Sequence, residues 1–331
     1  MVKYSFLLNL FFCFYYSYGQ DLVAFEIPFK SYTYSPDECT RLQHTSGTQI
    51  FIPKNAFNID SVSVTLKYRE MRNPLDMLIH QINMTTNFIG QEFYLISQGM
   101  FEIYALAGKD TLKLNENNAI QVRFSQQMNK LASRTEGYKY DFEKQNWELK
   151  TQQINLTGVS DRDSVLWGSS PVSEQMTEDE SELWGSFDGD QDCWCNFDQG
   201  VDSLRNEAFQ SMDIDEFGLY NYDFILQDAG KRIPIAASFK KENGKSINTK
   251  IYVVYEDFNT IYNFPPYDWE NNFFLYKKAF SLFTIDEDGT IYRLISNPDL
   301  NSINNGKKQF ILEFQGKPKS RKALAELTGL N

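Results

Sequence analysis

His44 and His80 are the two histidines of this 331-residue chain, so imidazole catalysis or a two-histidine metal site must use at least one of them. Neither lies in a motif that organises such chemistry. There is no His-Glu-x-x-His pair, no Gly-x-Ser-x-Gly elbow and no glycine-rich phosphate loop. Without a partner set, isolated histidines are read as ordinary core or surface residues. No catalytic residue is assigned. Paired carboxylates for glycoside hydrolysis are available in any chain with 44 acidic residues, so their availability carries no weight.

Asp188-Gly189-Asp190-Gln191-Asp192 has the alternating carboxylate spacing that lets side-chain oxygens converge on Ca²⁺. The stretch then departs from the EF-hand pattern, with Cys193 at the turn-glycine position and Gln199 at that of the closing glutamate. Asp188, Asp190 and Asp192 are therefore the metal candidates, for calcium, against the commoner reading of a solvated acidic linker; no other cofactor is expected. Cys193-Trp194-Cys195 with Cys39 and a histidine could hold Zn²⁺ only without the usual two-residue spacing between paired cysteines.

Tyr262-Asn263-Phe264-Pro265-Pro266-Tyr267-Asp268-Trp269-Glu270-Asn271-Asn272 sets four aromatics among amides and carboxylates, and its two prolines forbid regular strand pairing. Tyr262, Phe264, Tyr267 and Trp269 are the candidate ligand-binding residues, because exposed rings beside polar groups stack on sugars or form protein hot spots. The competing reading is a loop pinned by its own aromatics over the end of a sheet.

These candidates must be positioned by β-strands. Aromatics are abundant, with 27 Phe, 19 Tyr and 5 Trp, and they favour pleated, half-buried surfaces. Period-two alternation marks strands at Val23-Phe25-Ile27, Ile50-Ile52, Val62 to Tyr68, Phe93-Leu95, Met100 to Ala105 and Ile120-Val122-Phe124. Gly108-Lys109-Asp110 reads as a hairpin turn, Tyr138 to Leu149 as a hairpin around Gln145-Asn146, and Pro74 to His80 as a short helix. Later strands are expected at Glu207 to Phe224, Ile233–Phe239, Lys250–Glu256, Phe273–Ile285, Thr290–Ile295 and Gln309–Phe314. The Asp286–Gly289 turn is the clearest in the chain, and a C-terminal helix follows within Pro318 to Leu330.

The expected fold is all-β: two immunoglobulin-like β-sandwich domains joined by an acidic linker, with a short C-terminal helix. The expected boundaries are a signal peptide at 1–19, an N-terminal sandwich at 20–157, a linker at 158–206, a C-terminal sandwich at 207–317 and a tail at 318–331. The linker is rich in Ser, Asp, Glu and Gly, too polar to bury much surface, and its Leu-Trp-Gly copies at 166–168 and 183–185 read as tethering hydrophobes.

Lys3, the apolar run from Phe6 to Tyr16, and the small residues Ser17 and Gly19 fit a secretory signal cleaved before Gln20. No later segment offers an unbroken apolar run long enough to span a bilayer, so no transmembrane segment is expected. A net charge of −12 argues against nucleic acid, which requires clustered Lys and Arg. Removing the signal leaves Cys39, Cys193 and Cys195 in a compartment that permits disulfides. Neighbours one residue apart seldom bridge, so either Cys39 pairs with Cys193 or Cys195, or all three thiols stay reduced.

Gly47-Thr48-Gln49-Ile50-Phe51-Ile52-Pro53-Lys54-Asn55-Ala56-Phe57, followed by Tyr68-Arg69-Glu70 and by Gly99-Met100-Phe101-Glu102-Ile103, resembles a domain family recurrent in secreted proteins of the Bacteroidota. Its opening, Gly-x-x-Ile-x-Ile-Pro-x-x-Ala-Phe, also resembles the β-sandwich module of ankyrins and netrin receptors. Gly218 to Asp223 resembles a Gly-Trp-x-Asn-Cys-Asp signature of the same secreted proteins, with Leu219 in place of Trp and Tyr222 in place of Cys. The resemblance implies a cell-envelope setting and a sandwich, and no reaction. The expected function is a secreted, non-catalytic structural or binding protein with a protein or polysaccharide partner at the cell surface. The alternatives are a glycan-binding or adhesive protein using the aromatic loop and, more remotely, a hydrolase with an acidic site.

Overall fold

A computed structural model describes residues 22–59, 63–88, 91–116, 118–127, 135–151, 155–157, 207–225, 232–296 and 306–330. The described residues are mostly β-strand, with two α-helices. One sheet contains β1 (Lys30–Tyr34), β4 (Val64–Met71), β6 (Gln91–Ala107), β13 (Gly218–Ile225), β9 (Glu136–Asp141) and β10 (Asn146–Thr151) in that spatial order. The short strands β5 (Thr85–Phe88) and β7 (Asp110–Thr111) also pair with β6. A five-stranded sheet runs β11 (Asn155–Thr157), β12 (Glu207–Ile214), β8 (Ile120–Gln127), β3 (Gln49–Ile52), β2 (Thr40–Gln43).

The later residues add a pair, β14 (Arg232–Pro234) with β18 (Phe274–Tyr276), and a six-stranded sheet. The latter is ordered β15 (Ala236–Lys241), β21 (Lys307–Gly316), β20 (Ile291–Arg293), β19 (Ser281–Ile285), β16 (Ile251–Tyr255), β17 (Thr260–Phe264). The pairing of β15 with β21 is parallel. The helices are α1 (Pro74–His80) and α2 (Arg321–Thr328).

Alternation along the strands builds the first core. Val64, Leu66 and Tyr68 of β4, Phe101, Ile103 and Ala105 of β6, and Tyr220 and Tyr222 of β13 face one way. They meet Ile50 and Ile52 of β3, Ile120, Val122 and Phe124 of β8, and Met212 and Ile214 of β12 from the five-stranded sheet. Aromatic rings fill this core: Phe101 and Tyr220 stack within the larger sheet at 5.4 Å between centroids, and Phe124 meets Tyr222 across the layers, tilted, also at 5.4 Å. The opposite face of the larger sheet is covered too. Met71, Met100, Tyr138, Trp147 and Leu219 share a second core with Met77, Leu78 and Ile79 of α1 and with the later strands.

The short helices are fixed by their ends. Asn73 caps α1, its side chain accepting from Asp76 N, and Pro74 sits where its missing N–H costs no helical bond. Ser320 caps α2 in the same way, and Gly329 closes it in the left-handed region at φ 76°. The Asp286–Gly289 hairpin forms as expected, with Asp286 N donating to Thr290 O at 2.9 Å.

Several expectations change. Glu207 to Ile225, assigned by sequence to the later domain, pairs within both earlier sheets: β12 lies between β11 and β8, and β13 between β6 and β9. Val23–Phe25 is a 3-10 turn rather than a strand, and the first strand begins at Lys30. The two strands expected around Phe93 and Met100 are one strand, β6, whose pairing with β13 shifts register between Ser97 and Gly99. Gly99 has φ 129°, and a Cβ there would lie 2.6 Å from the Phe124 ring, so only glycine fits both backbone and neighbour. Ile233–Phe239 changes partner at Pro234, which has no N–H to continue a ladder.

Candidate functional site

The turn between β2 and β3 gathers the most reactive side chains. His44 N donates to Thr48 O at 2.8 Å and Gly47 N to His44 O at 3.0 Å, holding His44, Ser46 and Thr48 over the end of β4. Ser46 Oγ donates to Glu70 Oε1 at 2.9 Å and lies 2.9 Å from His44 Nδ1. Tyr68 OH donates to the same Glu70 oxygen at 2.9 Å, while Arg72 Nε donates to Oε2 at 2.5 Å. Arg72 also reaches Ser125 O and Thr48 Oγ1 and lies 4.3 Å from the Phe124 ring centroid, so its guanidinium joins the two sheets.

Electrostatics fixes the charge states here. Burial pushes the Glu70 carboxyl up, but hydrogen bonding and charge from Arg72, with help from Thr48 and His44, more than offset it and hold it below the usual carboxylate range. Burial lowers His44, outweighing the attraction of Glu70. The carboxylate is therefore ionised and the imidazole neutral near pH 7. The serine stands between imidazole and carboxylate, whereas an acyl-transfer triad needs the imidazole in the middle. Glu70 already accepts from Ser46, Tyr68 and Arg72, which favours a closed polar clasp over an activated nucleophile.

A second polar group lies at the seam between the two cores. Ser97 Oγ donates to Asn221 Oδ1 at 3.0 Å and accepts from Gly99 N at 3.0 Å, and Asn221 Nδ2 donates to Asp223 Oδ2. Asp223 is fully buried, and its Oδ1 has no hydrogen-bond partner among the described residues. Burial raises its carboxyl well above the usual range, against hydrogen bonds from Ser97 and Asn221 that lower it, so the fold favours its protonated form. The later strands grip the same stretch of β6: Asn259 Nδ2 donates to Ser97 O, and Thr260 Oγ1 and Tyr262 OH donate to Leu95 O. Sequence reasoning missed this site, although Asn221 and Asp223 are the polar residues of the Gly-Trp-x-Asn-Cys-Asp resemblance.

The aromatic loop is largely core. Tyr262, Phe264 and Trp269 are buried, and only Tyr267, 80% exposed, faces solvent. The correction follows from pairing: Tyr262 and Phe264 lie on β17 opposite Val253 and Ile251 of β16, and Tyr262 meets Tyr94 edge-on at 5.0 Å. Trp269 Nε1 donates to Phe264 O at 3.0 Å, and Trp269 O accepts from Ala237 N at 2.7 Å. The four rings are not one exposed platform.

Asp188, Asp190 and Asp192, like Cys193, Cys195 and the tryptophans of 158–206, lie outside the described residues. Cys39 is disulfide-bonded, so the expectation that all the thiols stay reduced does not hold. His80 is nowhere near a metal set; burial and the Arg69 charge lower it to about 4, and its Nε2 has no hydrogen-bond partner among the described residues. Among the described residues no group of three or more His, Cys, Asp or Glu could hold a metal ion, and no helix is long and apolar enough to cross a membrane. Compared with protein-family models, with curated proteins and with solved structures, the chain matches none.

Proposed function

We propose that this chain is a secreted, non-catalytic structural or binding module of the cell envelope, built as two immunoglobulin-like β-sandwiches sharing a buried seam. The observation that carries the reading is the fate of its reactive groups. His44, Ser46, Glu70 and Arg72 are locked into one network that bridges two sheets, and Ser97, Asn221 and Asp223 into another at the seam. Groups so engaged stiffen a scaffold and are poorly placed to move protons or attack a substrate. Export is supported by the signal-like N-terminus and by the disulfide at Cys39, since structural disulfides belong mostly to oxidising compartments.

The test is to express the chain with its own N-terminus in a Gram-negative host, fractionate the cells and weigh the recovered protein. We expect soluble exported protein beginning at Gln20. Full-length chain in the cytosol or in the inner-membrane pellet would overturn the export reading, and turnover of ester or polysaccharide substrates abolished by Ser46→Ala or Glu70→Gln would overturn the non-catalytic one.

A further inference from the structure

We propose that the turn from Pro265 to Asn272 is a carbohydrate-binding site, in which the Tyr267 ring stacks on the apolar face of a neutral sugar unit while Asn271 and Asn272 hydrogen-bond its hydroxyls. Resting on the function proposed above, it gives that module a ligand class: a neutral polysaccharide.

Among the described residues, Tyr267 is the most exposed of the large hydrophobic side chains, at 80%. Its backbone is held firmly. Pro265 and Pro266 fix two backbone angles, Asp268 N donates to Pro265 O at 3.0 Å, and Asp268 O accepts from Asn272 N at 2.7 Å and Phe273 N at 2.9 Å. Trp269 within the turn and Phe273 directly after it, both buried, anchor it in the second core. A ring mounted on so rigid a base loses little freedom on binding, and tyrosine has only two side-chain torsions to freeze.

The surroundings suit a sugar. Asn272 Nδ2 donates to Asp268 Oδ1 at 2.7 Å, which orients that amide, and Glu270, Asn271 and Asn272 are exposed on the same turn as Tyr267. One aromatic face with a few amides and carboxylates matches a pyranose, which has apolar faces and an equatorial belt of hydroxyls. Protein hot spots instead sit within a rim of further contacts that excludes water, and the exposed residues of this turn other than Tyr267 and Pro266 are polar. Asp268, Glu270 and the overall charge of −12 disfavour uronate or sulfated polymers.

The experiment is affinity electrophoresis of the mature protein in gels containing β-1,3-glucan, mannan, xylan or starch, with alginate as an anionic comparison. At least one neutral polymer should retard the wild type. Tyr267→Ala should bind about tenfold more weakly with an unchanged melting temperature, and Tyr267→Phe, which keeps the stacking face, should bind as wild type does. Equal retardation of wild type and Tyr267→Ala, retardation by alginate alone, or none by any neutral polymer overturns the site. Any of these leaves the export test untouched, so the two readings fail separately.

Discussion

Arg321, the first residue of α2, donates to the buried carboxylate of Asp76 in α1, joining two helices 245 residues apart in the chain. The other Asp76 oxygen accepts from Arg72 N at 2.7 Å, so one carboxylate organises the start of α1 and receives the C-terminal helix. Leu324 and Leu330 seat that helix in the second core, and Arg293 Nη1 donates to Glu326 O at 3.1 Å.

Arg321→Ala should destabilise the protein by about 1.5–3 kcal/mol, the range for a hydrogen bond to a charged group, and nearer the lower end because Arg321 is over a third exposed. Urea denaturation reads the change. If the loss comes from stranding a buried charge, adding Asp76→Asn should recover part of it; wild-type stability in the single variant would show that the ion pair contributes nothing.

Ile52 is buried in the first core, whereas Lys54, two residues on and past Pro53, is exposed. Ile52→Asp places a carboxylate without a partner among apolar groups, which costs several kcal/mol out of roughly 5–15 for a typical domain. It should abolish recovery of soluble protein, while Lys54→Asp melts within a degree or two of wild type. Equal melting temperatures would remove this segment from the core.

Acid should weaken the fold through His80. Its folded pKa of about 4 lies below the ordinary histidine value, so between the two the unfolded chain binds the proton and the folded one does not. Its contribution is present above about pH 6.5 and is lost as pH falls toward 4. His80→Gln, an uncharged side chain that can hydrogen-bond, should flatten denaturation midpoints measured across that interval; an unchanged pH slope would contradict the assignment.

Asp223 acts with the opposite sign. Its raised folded pKa means that above the ordinary aspartate value the folded chain holds a proton the unfolded chain has released, so its contribution is full in acid and is lost as pH rises through the raised folded pKa. Asp223→Asn mimics the protonated carboxyl and should remove that decline. A variant that loses stability with pH as steeply as wild type would show that the carboxyl does not titrate in this range.

Local features were legible in the sequence, and facing surfaces were not. The Asp288-Gly289 turn and the helices at Pro74 to His80 and within Pro318 to Leu330 formed as read, because they depend on local backbone preferences; the caps Asn73 and Ser320, which obey the same preferences, were not singled out. Strand alternation says which side chains share a face and leaves the neighbouring strand undetermined, so Glu207 to Ile225 was placed with the later strands although it pairs within the earlier sheets. In a sheet with one wet face, Asn221 and Asp223 between Tyr220 and Tyr222 would be the solvent side. Here both faces are covered, and the pattern conceals a buried acid. Composition picked out the aromatic loop but could not tell that Trp269 points inward and Tyr267 outward.

The interior positions of β12 and β13 set an order of events at synthesis. When the first 157 residues have emerged, β6, β9, β8 and β11 all have an open edge where a strand still to be made must insert. The five-stranded sheet stays open until residue 214 is available and the larger sheet until residue 225, however long the intervening segment takes to appear. Open edges of this kind pair readily with other chains, and pairings so distant along a sequence form slowly. The nascent protein is therefore most vulnerable to aggregation while its middle third is being made, and substitutions that slow or pause that stretch should lower yield without altering the stability of the finished fold.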